Sequence, residues 1–298
     1  MASDQSSDTQ PRQVDGDWSG WIGRTETAVE VLAGEPMARL AATLGSFAGP
    51  PNSIPPLGHW CYFLAAVPQV GLGPDGHPIR GGFLPPVSLP RRMWAGGQLQ
   101  WHSDLHIGDR VTKVSTIEQV RAVSGRSGPL VFVTVAHEFS VDGALALREM
   151  HDIVYRDTQS RSATGAVASA GAVARPRPAP AVARPMWERT VEADSALLFR
   201  FSALTFNAHR IHYDRPYAQQ VEGYPGLVVH GPLLATMLLR LASDETGRAI
   251  RSFSFRAIQP VFDGAPFRLC GRQDADVVTL ELRNHDGDEC MTATAELR

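Results

Sequence analysis

Residues 231–242 read GPLLATMLLRLA, and the way this stretch has to be buried decides the architecture. Gly-Pro opens it as the first turn of a helix, where proline is tolerated because its missing N–H would have no helical partner. Arg240 is its only charged residue. A helix without a polar face must be covered on nearly every side, and the chain that follows supplies the cover. Residues 252–262, 267–271, 277–283 and 289–297 carry strand-like patterns, with Asp263-Gly264 and Asp286-Gly287 as hairpin turn signals. The expectation is a curved antiparallel sheet wrapped around one helix. Residues 226–242 form the longest apolar run, but His230, Gly231, Pro232 and Arg240 interrupt it. It falls short of the ~20 residues a membrane span needs.

The same order of elements occurs earlier in the chain. Residues 35–44 have helical spacing, with Met37, Leu40, Ala41 and Leu44 on one side. A Pro-rich loop follows, then strand-like runs at 111–123, 130–141 and 145–155, separated by turns at Gly125, Gly128 and Gly143. Between the two sets, residues 160–185 are dominated by Ala, Ser, Gly and Pro and have no apolar face, which predicts a linker. Beyond it, Asp194 and Ser195 are N-cap residues for a short helix through Phe201. The class is α+β. Its expected organisation is a polar, disordered tail (1–17), a first domain (18–159), the linker (160–185) and a second domain (186–298).

Composition excludes several function classes. The 298 residues carry a net charge of -3, which gives no electrostatic reason to expect nucleic acid or an anionic membrane as partner. Cys61, Cys270 and Cys290 are too few and too scattered for a disulfide framework or a Cys-rich zinc site. No apolar secretion signal opens the chain, so the expectation is a cytoplasmic protein with reduced thiols. Lys113 is the only lysine.

The densest group of reactive side chains is Asn207, His209, Arg210, His212, Tyr213 and Asp214, inside SALTFNAHRIHYDRPYA. A core segment rarely carries so many ionisable and hydrogen-bonding groups together, so this stretch reads as a site. His212-x-Asp214 with a distant histidine also has the two-histidine, one-carboxylate pattern of iron oxygenases. His137-Glu138, in a strand-like run, reads as structural, and Trp94 and Trp101 read as core packing.

Residues 201–218, together with VVHGPLLATML at 228–238, resemble the MaoC-like hydratase family, and especially its branch of type 2 hydroxyacyl-thioester dehydratases. LPRRMWAGG at 89–97 and FRAIQPVFDGAPF at 255–267 are similar to the same branch. Mesaconyl-CoA and itaconyl-CoA hydratases belong to that neighbourhood. The resemblance implies a double hot dog, two antiparallel sheets each wrapping a central helix, with a degenerate N-terminal copy that helps shape an acyl tunnel. It implies a homodimer without cofactor or metal. The implied reaction is reversible hydration of a 2-enoyl thioester or dehydration of a 3-hydroxyacyl thioester, on coenzyme A or a carrier protein.

The family motif runs Asp-x-Asn-Pro-x-His. His212 falls on its histidine, Asn207 on its aspartate, and His209 and Arg210 on its Asn and Pro. An amide cannot take a proton near neutral pH, so His212 is left as the acid/base, with Asn207 holding the water. Gly231, at the start of the apolar helix, is the oxyanion donor that the resemblance implies, because the first amides of a helix have no internal partners. His209, Tyr213 and His230 are candidate substrate contacts. Arg91, Arg92 and Arg256 are candidate cations for CoA phosphates or a substrate carboxylate. A thioesterase, or a non-catalytic protein that binds acyl-CoA, remains the alternative that Asn207 keeps open.

Overall fold

A computed structural model describes residues 16–125, 128–157 and 185–298. The expected linker lies outside the described residues except for Pro185, and so does the expected tail except for Gly16 and Asp17.

Helix α1 (Gly34–Leu44) is followed, after the Pro-rich loop, by β2 (Arg91–Trp101) and the meander β3 (Arg110–Gly125), β4 (Gly128–Val141) and β5 (Ala144–Arg156). β1 (Thr25–Val31) precedes α1 and pairs with β3. In the C-terminal half, β6 (Trp187–Val191) leads to α2 (Ser195–Leu204), and α3 (Gly231–Thr246) leads to β7 (Ile250–Ala257), β8 (Phe267–Asp274), β9 (Val277–Arg283) and β10 (Glu289–Leu297). Every residue of α3 from Leu233 to Leu239 is buried, as its lack of a polar face requires, and the helix packs on β7, β8, β9 and β10. α2 begins where expected, with Asp194 Oδ1 accepting the Leu197 N–H at 2.7 Å.

The strands of both halves join in one antiparallel order, β1-β3-β4-β5-β2-β7-β10-β9-β8-β6. This is the α+β double hot dog expected from the sequence, with its two five-stranded halves hydrogen-bonded edge to edge through β2 and β7. At that seam Gly96 faces Arg256 and Gly97 faces Phe255. A Cβ on Gly96 would stand 2.5 Å from the Phe255 carbonyl oxygen, so the strands can approach here only because position 96 has no side chain. α1 is shorter than α3, buries only Met37 and Leu40, and lies against α2. Side chains of β3, β4 and β5 are thereby left to line a cavity.

Two local readings are corrected. Asp263-Gly264 does not close a hairpin: β7 pairs with β2 and β10, whereas β8 pairs with β6 and β9, so the chain crosses over between them. Asp263 instead accepts the Leu227 N–H at 2.8 Å. β7 also ends at Ala257 and not at Phe262, before Pro260, which cannot donate to a strand ladder. Asp286-Gly287 does turn the β9–β10 hairpin, with Gly287 at φ +89°. Among the described residues, no helix is long and apolar enough to cross a membrane.

Candidate active site

A cavity of about 2130 Å³ opens between the two halves, and His212, His209, Asn207, Tyr213 and Gly231 line it from the C-terminal side. The chain leaving α2 turns sharply at Phe206, whose φ of +49° is left-handed, and the Asn207 N–H donates back to the Ser202 carbonyl. Asn207 Oδ1 accepts the His209 N–H at 3.0 Å, the local turn that asparagine favours. A single 3₁₀ turn, Arg210–His212, then places His212 beneath Val228.

The His212 Nδ1–H donates to the Val228 carbonyl at 2.7 Å, which fixes the tautomer and leaves Nε2 as the nitrogen with a free lone pair. Its ring stacks on His230 at 3.7 Å between centroids, with planes 19° apart. His230 is fully buried, with Nε2 2.8 Å from Ser202 Oγ. Burial pushes His212 down to about 4 against the opposing Val228 bond, and pushes His209 down to about 2. Both are neutral bases near pH 7. Gly231 opens α3 with no side-chain cap, Pro232 has no N–H to offer, and a Cβ on Gly231 would meet nothing within 4 Å. An open helix start beside a neutral imidazole can take up charge developing on a carbonyl oxygen.

The other predicted residues separate. Arg92 lines the cavity and has no salt bridge among the described residues. Arg91 also lines it, but its Nε lies 2.9 Å from Glu222 and its guanidinium covers the Tyr224 ring, so it ties the two halves together. Arg256 does not line the cavity; it sits on β7 opposite Gly96 and Thr292. Tyr213 is exposed, and its hydroxyl donates to the Ala208 carbonyl. Asp214 accepts from Arg210 at 2.7 Å and caps Tyr217, and it does not line the cavity. That removes the His212-x-Asp214 pair as metal ligands.

Two groups escaped the sequence reading. Asp75 and His77, on the loop before β2, reach the imidazole cluster: His77 lies 4.0 Å from His209, and His209 lies 5.4 Å from His212. The donor atoms of Asp75, His77 and His209 are within 4.8 Å of one another, and Asp75 meets His77 through both oxygens, Oδ1 at the backbone N–H and Oδ2 at the ring Nδ1. The only signal was the Gly/Pro-rich string GPDGHP at 73–78, and no spacing connects it to His212.

The second group lies across β3–β5. The Nε2–H of buried His59 donates to the Glu149 carboxylate at 2.9 Å, and the Trp60 Nε1–H donates to the same carboxylate at 3.0 Å. Burial pushes Glu149 up, but the His59 bond and the neighbouring histidines outweigh it and hold the carboxyl at about 2. His151 packs on Trp94, His137 bonds Ser115 Oγ, and the Lys113 ammonium lies over Phe63 and Phe139. His137 is a strand residue as expected, but it also lines the cavity, as does Trp94.

Residues 57–263 match the family described as hydroxyacyl-thioester dehydratase type 2. The chain is 48% identical to mesaconyl-C(4)-CoA hydratase of Chloroflexus aurantiacus over 94% of its length and 98% of that protein. It is 29% identical to the mitochondrial hydroxyacyl-thioester dehydratase type 2 of Schizosaccharomyces pombe over 74% of the chain and 78% of that protein. The solved structure of HtdX of Mycobacterium tuberculosis covers 92% of this chain, and is itself covered completely, at a TM-score of 0.67 and 19% identity. A second protein of that organism, described as having a double hotdog fold, covers 93% with 96% of its own length matched, at a TM-score of 0.53 and 15% identity. The extent of these matches leads to one assignment: the chain belongs to the hydroxyacyl-thioester dehydratase type 2 family, hydro-lyases that act on acyl thioesters.

Proposed function

We propose that the chain catalyses the reversible addition of water to a short 2-enoyl-CoA that carries a free carboxylate, a C5 dicarboxylyl thioester of the mesaconyl type. The observation that carries the reaction is the His212 imidazole, neutral and locked by Val228, with Nε2 free beside the open helix start. His212 takes a proton from water as the oxygen bonds the β-carbon, and the Gly231 amide receives the charge that moves onto the thioester oxygen. Asn207 helps hold that water with Nδ2 and the second lone pair of Oδ1, the first being occupied by the His209 N–H.

The acyl group is inferred from the walls of the cavity. A fatty chain needs an apolar tunnel, but the side of the cavity facing β3–β5 carries Lys113, His137, Glu149 and His151. Arg92 lines the same space without an ion-pair partner among the described residues, and is the cation assigned to the substrate carboxylate. The 48% identity to a mesaconyl-C(4)-CoA hydratase supports the same substrate class.

The test is a panel of enoyl-CoAs with and without a free carboxylate on the acyl group, following loss of the conjugated thioester absorbance against release of free thiol. Hydration favouring the carboxylated members is the expected result. Thiol release would make the protein a thioesterase, and binding without turnover a carrier.

A further inference from the structure

Position 207 lacks the carboxylate of the family motif, and among the described residues no carboxylate of the C-terminal half is hydrogen-bonded to the His209, His212 or His230 side chain. The N-terminal half brings one to the cluster. Asp75 Oδ2 lies 3.1 Å from His77 Nδ1, and Asp75 Oδ1 accepts the His77 N–H at 3.0 Å. His77 packs on His209, and His209 packs edge-on against His212, so the four side chains form a continuous row into the cavity.

The loop is built into this position. The Arg210 backbone N–H donates to the Asp75 carbonyl at 2.9 Å and Arg210 Nη1 donates to the Pro74 carbonyl at 3.0 Å. Gly76 has φ +87° and comes so close that a Cβ there would stand 1.8 Å from the Ala208 carbonyl oxygen. Only glycine meets both demands.

We propose that the Asp75–His77 pair is the second proton-handling unit of the site, replacing from the other half of the chain the carboxylate absent at position 207. The proposal rests on the hydratase reading above. In hydration, His77 enters the step as an imidazolium with its Nδ1–H on Asp75. The water oxygen bonds the β-carbon and a water proton passes to His212 Nε2. The C=C electron pair moves to the α-carbon, with enolate charge on the thioester oxygen, and the α-carbon takes the Nε2 proton of His77. His212 is then protonated and His77 neutral; His212 releases its proton to water in the cavity, His77 takes one up from water, and both imidazoles are reset. H and OH have been added, with no proton or electron left over.

The surroundings make His77 responsive to substrate. Burial disfavours its charge and Arg92 and Arg80 add to this, while Asp75 opposes them and the His209 ring covers one face. A substrate carboxylate on Arg92 would offset that cation's share of the repulsion and shift His77 toward the imidazolium when the anionic acyl group is bound.

The experiment is steady-state hydration of mesaconyl-C4-CoA and of crotonyl-CoA across pH by full-length wild type, His77→Gln, Asp75→Asn and His212→Gln, with thermal melts of each. The expected result for His77→Gln is a kcat lower by ~10²–10³, a KM within about threefold, an unchanged melt, and loss of the basic limb of the kcat profile. Asp75→Asn should move that limb to lower pH by about one unit, because the imidazolium loses its counter-charge. A His77→Gln variant within threefold of wild-type kcat overturns the proposal. So does one that is slow but keeps the wild-type pH profile, since that is a structural role. Stoichiometric zinc in the wild type, lost in His77→Gln together with chelator-sensitive activity, overturns it as well. A wild type that hydrates neither thioester overturns the hydratase reading, and the proposal with it. An active wild type that His212→Gln abolishes and His77→Gln spares overturns the proposal alone.

Discussion

His212 and His230 lie face to face, 3.7 Å between ring centroids and 19° between planes, yet they are held in opposite ways. His212 is fixed through Nδ1 to a backbone carbonyl and lines the cavity with Nε2 free, whereas His230 is fixed through Nε2 to Ser202 Oγ in the sealed core. The stack makes a second cation costly, so only one of the two imidazoles is available to carry a proton during turnover.

His212→Gln is therefore expected to lower kcat by at least ~10²–10⁴ while the melting temperature moves little, because the lost bond to Val228 is worth about 1 kcal/mol. Ser202→Ala, which removes the hydroxyl bonded to His230 and leaves the Val228 anchor of His212 in place, should leave the pH profile intact. Kinetics and melts of the two variants in parallel check both statements.

The acid limb of kcat/KM should lie well below the ordinary histidine range. His212 is pushed down to about 4 by burial, so it remains an unprotonated base as pH falls through ~6.5. An acid limb near 6.5 would mean that the imidazole is more solvated than its surroundings imply.

Arg92→Gln should separate the substrates. Removing a charged hydrogen-bonding partner costs about 1.5–3 kcal/mol, so KM for mesaconyl-C4-CoA should rise by roughly 10- to 100-fold, with little change for crotonyl-CoA. Equal losses for both would move Arg92 from the acyl group to the coenzyme or to the fold.

Stability should fall as the solution is acidified from about pH 6.5. His137, His151, His209 and His212 are held at about 3, 4, 2 and 4 in the folded chain. An unfolded histidine titrates near ~6.5, so below that pH the unfolded chain binds more protons than the native one. The stability contributed is complete above ~6.5 and is lost at up to about 1.4 kcal/mol per pH unit for each group. Glu149, also depressed, adds its loss as pH falls from its ordinary value toward about 2. Urea unfolding at several pH values measures the slope.

Glu149→Gln should be destabilising by about 1–3 kcal/mol, since its amide NH2 must face one of the two N–H donors, His59 Nε2 or Trp60 Nε1, that the carboxylate now accepts. The double variant Glu149→Leu with His59→Leu should recover part of the loss, which a denaturant series would detect.

What the sequence made legible followed from burial. The apolar girth of α3 required a surrounding sheet, and the long runs of β3, β4 and β5 carried enough buried alternation to be placed within a few residues. β1 is exposed along most of its length and β6 has five residues, so neither shows an apolar period. β2 was hidden because RRMWAGGQLQW carries paired arginines and paired glycines where a strand usually carries β-branched residues. In the site, His212, His209 and Asn207 were found through local clustering and Gly231 through the family resemblance, and all four line one cavity. Asp75, His77, His59 and Glu149 were not, because each belongs to the site through a contact that spans the tertiary structure: residues 59 and 149 are 90 positions apart.

The β2–β7 pairing also sets how this protein can be divided. Cleaving a peptide bond between positions 157 and 185 would leave each of the described strands β1–β10 whole. Separating the resulting fragments would bare one edge on each, lined with unanswered N–H and C=O groups. Neither fragment is then a candidate for life as a monomer, and the two should find each other again when mixed.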